Sequence, residues 1–556
     1  MLGTPLREQV SRYISFAAFG ATIAISPWTN VDAVNIVKMI VLATFGFIAF
    51  GHLLPKAKEI WSGPYKLIIA LVAAFILQLI IVMVVDDSPF TQQFFGTFGR
   101  NTGFISYLSL SLLLLSAAIV TSQRQARRIA LTLLAAGTFN VIYGWMQLQQ
   151  IDPIPWSNEY NVIIGTLGNP NFSAALFGFT CVVALSILVG EGVSVPYRCL
   201  AFAIFVFAFY LSIATQSSQG PVIAAVGSTV VVYQFMAKTL NWKWARIPYL
   251  ALLAVGLVAS VLGTLQRGPL TPILYQDSVA YRGDYWRAGI QMIKAHPFTG
   301  VGLDSYGDYY RASRTIFATE RRGPDVTANS AHNVFIDIGA AGGLILLFIY
   351  LVIVALAARA SYRLLSKSKK FDWIPVSLVG AWLAYLIQSV LSINQLGLAV
   401  WGWVIPGALI GLDLNRSVVE TATKDKRGRR IYAPAKHLVA GMSLGAIGIL
   451  ISFWPMKYDA NARYAFGAND DAKSIAMVKE FPMNNYHILN LAKRMMDQQK
   501  YEQAIDLFKL ARENNPRDYY AFRGLTSFSA LPGEDRQALL QRMRELDPHN
   551  NTIPQN

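Results

Sequence analysis

Hydrophobic residues along this chain fall into long runs separated by short polar connections. Crossing about 30 Å of hydrocarbon takes a helix of roughly 20 apolar residues. Runs of that kind lie at about 13–28, 34–54, 65–86, 103–122, 129–149, 171–190, 199–216, 220–237, 247–265, 333–357, 373–393, 396–413 and 437–455. Hydrocarbon offers the backbone no hydrogen-bonding partner, so each run is expected to be helical. The pattern predicts an all-α, polytopic membrane helix bundle of about 13 spans. Residues 456–556 are polar with helical periodicity. There Leu491, Ala492, Ala504, Phe508, Ala511 and Pro516 occupy the large and small positions of a 34-residue tetratricopeptide repeat, and Pro482, Pro516 and Pro548 recur at spacings of 34 and 32. The expected division is a transmembrane domain, 1–455, with a long outer loop at 266–332, and an extracytoplasmic tetratricopeptide-like helical domain, 456–556. A plain helical cap over the membrane part is the competing reading of the second domain.

Composition agrees with a membrane protein: 54% of the 556 residues are hydrophobic and 14% are charged, against about a quarter charged in ordinary soluble domains. The 12 Trp and 25 Tyr suit interfacial belts. The net charge of +16 does not indicate nucleic acid, because Lys and Arg cluster between the apolar runs. With the N-terminus placed in the cytoplasm, Arg124, Arg127, Arg128, Arg359, Arg363, Arg416, Lys424, Lys426, Arg427, Arg429 and Arg430 all fall inside. The short outer loops 28–33, 150–170 and 394–396 carry no Lys or Arg. This is the positive-inside pattern, and it predicts a multi-pass plasma-membrane protein with its C-terminal domain outside. Arg7 and Arg12 precede the first run, which reads as an uncleaved anchor. Cys181 and Cys199 read as small core residues rather than a disulfide or a zinc site.

Four outer segments carry candidate chemistry. In the 96–103 loop, Arg100 stands among glycines at a helix start. A guanidinium grips phosphate with paired N–H donors and a helix N-terminus favours anions; snorkelling to headgroups is the structural alternative. The 165–171 turn holds Asn171, read as the cap of the next helix. In the long loop, Tyr281, Arg282, Gly283, Asp284, Tyr285, Trp286 and Arg287 stand together, Arg282 preceding an expected amphipathic helix that ends near Ala295, followed by a turn at Gly300 and Gly302. Ser330, Ala331, His332 and Asn333 stand at the threshold of a span, and a histidine there can take a proton near neutral pH. His296, beside a proline turn, reads as structural. Asp304, Asp308 and Asp325 share no ligand spacing with a histidine, so no metal site is expected.

Together these segments resemble the O-antigen ligase and polymerase superfamily, which includes lipopolysaccharide O-antigen ligases, pilin-type O-oligosaccharyltransferases and surface polysaccharide polymerases. The match rests on residues 282–286, on 297–302, and on Ala331, His332 and Asn333 with Gly342 and Gly343 beyond. It covers roughly residues 10–455. The resemblance implies a GT-C-like bundle acting on a polyprenyl-pyrophosphate-linked glycan donor and a lipid, protein or cell-wall glycan acceptor, with no cofactor and no metal. Carried over by position, Arg282 would hold pyrophosphate and His332 would act as base. Arg100, Arg287, Gln219 and Asn333 are candidates for binding pyrophosphate or glycan. Two positions depart from the family pattern: Gln219 stands where many members have Arg, and Ala341 where many have Glu.

Three readings follow: a ligase moving a finished glycan en bloc, a polymerase extending one lipid-linked chain from another through the same site, and a non-enzymatic transporter or scaffold. Transporters place polar groups at the midplane of their spans, whereas the polar residues here cluster outside. A protein partner on the C-terminal repeats is a further expectation; nucleic acid is not.

Overall fold

A computed structural model of the chain describes residues 2–155, 158, 162–264, 267–268, 271, 277–416, 432–480, 483–528 and 535–554. Among these residues the protein is all helical, without strands. Each of the expected apolar runs falls largely on a helix among the described residues, the 13–28 run being helical only as far as Ile23. Ten of those helices are long and apolar enough to cross a membrane, and two more apolar stretches, Phe104–Val120 and Trp244–Ser260, are shorter. The first helix, Thr4–Ile23, starts well before its apolar run. Its charged end is buried because it finds partners. Arg7 donates to the carbonyls of Ile119 and Val120 at 3.3 and 3.0 Å and to Asn415 Oδ1 at 3.1 Å. Glu8 takes Arg124 at 2.6 Å and also pairs with Arg128. Those carbonyls end the helix Phe104–Val120, so Arg7 satisfies terminal groups the helix itself cannot.

Small residues let the spans approach closely, as is usual where lipid supplies no hydrophobic drive. The last membrane helix, Ala435–Gly467, lays Gly441, Gly445 and Gly448 along Asn35–Gly51; a Cβ on Gly448 would sit 2.6 Å from the Ala43 carbonyl. This helix runs on without interruption past residue 455 and leads into the C-terminal helices. These have their own core, in which Leu491, Ala492, Ala504, Phe508 and Ala511 are buried. Pro482 and the cluster from Lys424 to Arg430 lie outside the described residues.

The C-terminal helices, with the end of Ala435–Gly467, grip the loops between membrane helices at several points. Phe98 stacks on Tyr486 with centroids 4.1 Å apart. Asp459 accepts the backbone N–H groups of Val31 and Asp32 at 2.8 and 3.0 Å. Asp547 pairs with Arg311 and Arg314 of the long loop at 2.8 and 2.7 Å.

Candidate active site

The long loop is anchored where the helix Val334–Lys367 breaks. Gly343 there has φ 74° and ψ −176°, a region open essentially to glycine. The break receives the 297–302 segment: Val301 N–H donates to the Ala340 carbonyl at 2.8 Å and Leu344 N–H to the Pro297 carbonyl at 2.7 Å. Gln78 Nε2 donates to the Phe298 carbonyl at 2.8 Å. A Cβ on Gly300 would meet the Ala340 carbonyl oxygen at 2.3 Å, and one on Gly343 the Phe298 carbonyl carbon at 2.5 Å. Gly300 and Gly343, which stand apart in sequence, are thus two sides of one contact. Gly343→Ala is expected to cost about 1–3 kcal/mol from backbone strain alone, read as a lower melting temperature in detergent.

That anchoring sets the turn before the span. Asn333 caps the helix, its Oδ1 accepting the N–H groups of Phe335 and Ile336 at 3.0 and 3.2 Å. Asp337 accepts from Ser330 Oγ at 2.6 Å and Ala331 N–H at 2.7 Å, and Ser330 Oγ accepts from His332 N–H at 2.9 Å. The turn holds His332 at φ 53°, an unusual backbone for a residue with a side chain. Its ring stacks on Tyr285, with centroids 5.5 Å apart and planes at 27°. Neither ring nitrogen bonds to a described residue. Burial, then the charges of Arg282 and Arg100, pull the His332 imidazole down to about 4.

Tyr285 belongs to the loop helix Asp277–Ala295, which packs Gly289 against Ile336. Arg282 lies within the same helix rather than ahead of it, because the helix starts at Asp277; it is half-buried and makes no hydrogen bond or ion pair with any described residue. Arg287 is elsewhere: its side chain is 66% exposed and pairs with buried Asp284 at 3.3 Å. Asp284 also pairs with Arg321 of the short helix Ile316–Arg322. Next to Arg321, Arg322 donates from Nη2 to the Tyr285 hydroxyl at 2.7 Å. Its guanidinium carbon lies 3.9 Å from the Tyr281 ring centroid and 4.8 Å from that of Tyr285.

Arg100 is buried and committed to the protein. It donates to the Asn329 carbonyl at 2.6 Å and lies 3.6 Å from Asp304. Asp304 in turn accepts Thr97 N–H at 2.7 Å and the Thr102 hydroxyl at 2.9 Å, fixing the 96–103 loop. Gln219 begins the helix Gln219–Lys238, buried, its Oε1 unpartnered among the described residues. Beside it Ser217 donates to Asn171 Oδ1 at 2.7 Å. Asn171 is not the cap of its helix; Asn169 is, accepting Asn171 N–H at 2.9 Å, because Pro170 takes the first helical position.

The structure therefore brings together His332, Arg282 and, through its charge, Arg100. Asn333 serves the helix end, Arg287 points outward, and the contacts of Gln219 are with the Ser217 turn. Arg322, Tyr285, Asp304 and Asp337 belong to the cluster without having been singled out in the sequence as site residues. Among the described residues, no three His, Cys, Asp or Glu side chains converge. Residues 201–351 match a family model described as O-antigen ligase. That segment holds His332, Arg282, Gln219 and both glycine pairs, and leaves Arg100 outside. No curated protein matches the chain.

Proposed function

We propose that this chain, a member of the O-antigen ligase superfamily through residues 201–351, transfers a glycan from a polyprenyl-pyrophosphate carrier to an acceptor hydroxyl at the outer face of the plasma membrane. The observation that carries the reading is an imidazole with both nitrogens free, beside a half-buried guanidinium that no described carboxylate neutralises. In the reaction the acceptor oxygen bonds to the anomeric carbon of the donor sugar. The bond from that carbon to pyrophosphate breaks, its electron pair leaving with the pyrophosphate. The hydroxyl proton passes to a ring nitrogen of His332. Arg282 stabilises charge as it grows on the leaving group, an effect strongest in a site arranged beforehand. Arg100 acts at longer range, holding the outer loop against Asn329 and adding positive potential.

In this reading the N-terminus is cytoplasmic and the site and C-terminal domain are extracytoplasmic, as the Lys and Arg distribution indicates. The tetratricopeptide-like helices offer an acceptor or partner surface. Transfer of lipid-linked glycan by the purified chain tests the assignment, with Arg282→Ala expected to lose about 10²–10³-fold in rate. Full activity of a folded Arg282→Ala protein rejects the site. Deletion separates ligase from polymerase. Loss of a ligase strands long chains on the carrier, and loss of a polymerase leaves single repeats.

A further inference from the structure

The helices Asp277–Ala295 and Ile316–Arg322 carry four arginines on described side chains: Arg282, Arg287, Arg321 and Arg322. Among the described residues the one carboxylate paired with any of them is Asp284, and it takes Arg287 and Arg321. Glu320 is exposed and pairs with none of them. Arg282 and Arg322 are left over.

Arg322 is not a loose surface side chain. Two tyrosine rings lie under its guanidinium and Nη2 is fixed on the Tyr285 hydroxyl. Nη1 is buried and has no acceptor among the described residues. A buried N–H without a partner is costly, and a charged one more so. Contact with tyrosine faces does not supply the missing acceptor. Tyr285 connects this arginine to the candidate base, since the same ring stacks on His332. A cation held rigidly, with one donor unsatisfied, one aromatic ring away from His332, is arranged for an anionic ligand in that site.

We infer that Arg322 is the second guanidinium of a diphosphate clamp, acting with Arg282 on the leaving group of the donor. The inference rests on the proposed pyrophosphate-linked donor. A monophosphate presents one charged centre; a diphosphate presents two, and two separately mounted guanidiniums select for the second. Arg282 is needed for either ligand, Arg322 for discrimination between them.

The test uses the full chain in detergent, with geranylgeranyl diphosphate and geranylgeranyl monophosphate as probes. The wild-type protein is expected to prefer the diphosphate. Arg322→Gln is expected to weaken diphosphate binding by about tenfold, the scale of one charge-assisted contact, and to leave monophosphate binding unchanged. Arg282→Gln is expected to weaken both. Should the Gln variant not fold, Arg322→Lys keeps a cation over the tyrosines and loses the paired donors, and is expected to reduce the same preference. An undiminished diphosphate preference in folded Arg322 variants, with Arg282→Gln impaired, overturns the clamp and spares the donor assignment. A wild-type protein that binds neither probe overturns both.

Discussion

Replacing His332 by alanine is expected to slow glycan transfer by about 10²–10⁴-fold, the usual contribution of a positioned general base, while donor binding changes little. The imidazole contributes no bond to any described residue, so its removal leaves no partner unsatisfied. The Ser330, Asn333 and Asp337 bonds that shape the turn use backbone and neighbouring side chains and survive the change. The pH dependence carries the sharper test. An ordinary histidine titrates near 6.5, but burial and the charges of Arg282 and Arg100 bring His332 to about 4. Protonation abolishes the base, so kcat/KM, which reports the free enzyme, should stay level through pH 6 and fall only as the pH approaches about 4. Bound diphosphate offsets the arginines, so the acid limb of kcat should lie at higher pH than that of kcat/KM. A kcat/KM limb centred near 6.5, or an alanine variant as fast as wild type, contradicts the role assigned to His332.

The spans were legible because a lipid-facing helix leaves a pattern that is both long and local. What decides the site is neither. Arg7 looks like a charge in front of an anchor until the Ile119 and Val120 carbonyls are seen beside it. Gly300 and Gly343 read as punctuation in two separate segments, and nothing in either predicts that the first would clash with Ala340 and the second with Phe298. Arg322 carries no motif at all; its meaning comes from Tyr281 and Tyr285, some forty residues earlier. Two placements were within reach of local reasoning. Arg287 follows Arg282 by five residues, which turns it about 140° around a helix, away from the face that holds Arg282. Asn333 directly precedes an apolar helix, the ordinary position of a cap. In both cases the charge or polarity of the residue suggested chemistry where the helix geometry indicated a structural role.

Asp547→Ala is expected to have the largest effect on stability, although it lies far from the reacting atoms in sequence. Its carboxylate is buried and accepts from Arg311 Nη1 at 2.8 Å and Arg314 Nη2 at 2.7 Å. Arg311 is further held 4.2 Å over the Tyr519 ring and donates to the Tyr520 hydroxyl at 3.0 Å. Removing one carboxylate leaves two buried guanidiniums uncompensated, and breaking a buried pair in this way costs about 3–5 kcal/mol. The exposed pair between Arg523 and Asp325 joins the same two parts of the chain, yet Asp325→Ala should cost only about 0–1 kcal/mol. Arg311 sits on the helix Tyr306–Ser313, whose Tyr306 hydroxyl donates to the Tyr285 carbonyl at 2.6 Å. Loosening the C-terminal helices therefore loosens the ring against which His332 stacks. Hydrogen exchange over residues 300–330 should rise in Asp547→Ala and stay near wild type in Asp325→Ala, with transfer falling in step. Equal exchange and equal melting in the two variants would mean that the C-terminal helices rest on the loop without holding it, and that the geometry around Tyr285 is maintained by the membrane helices alone.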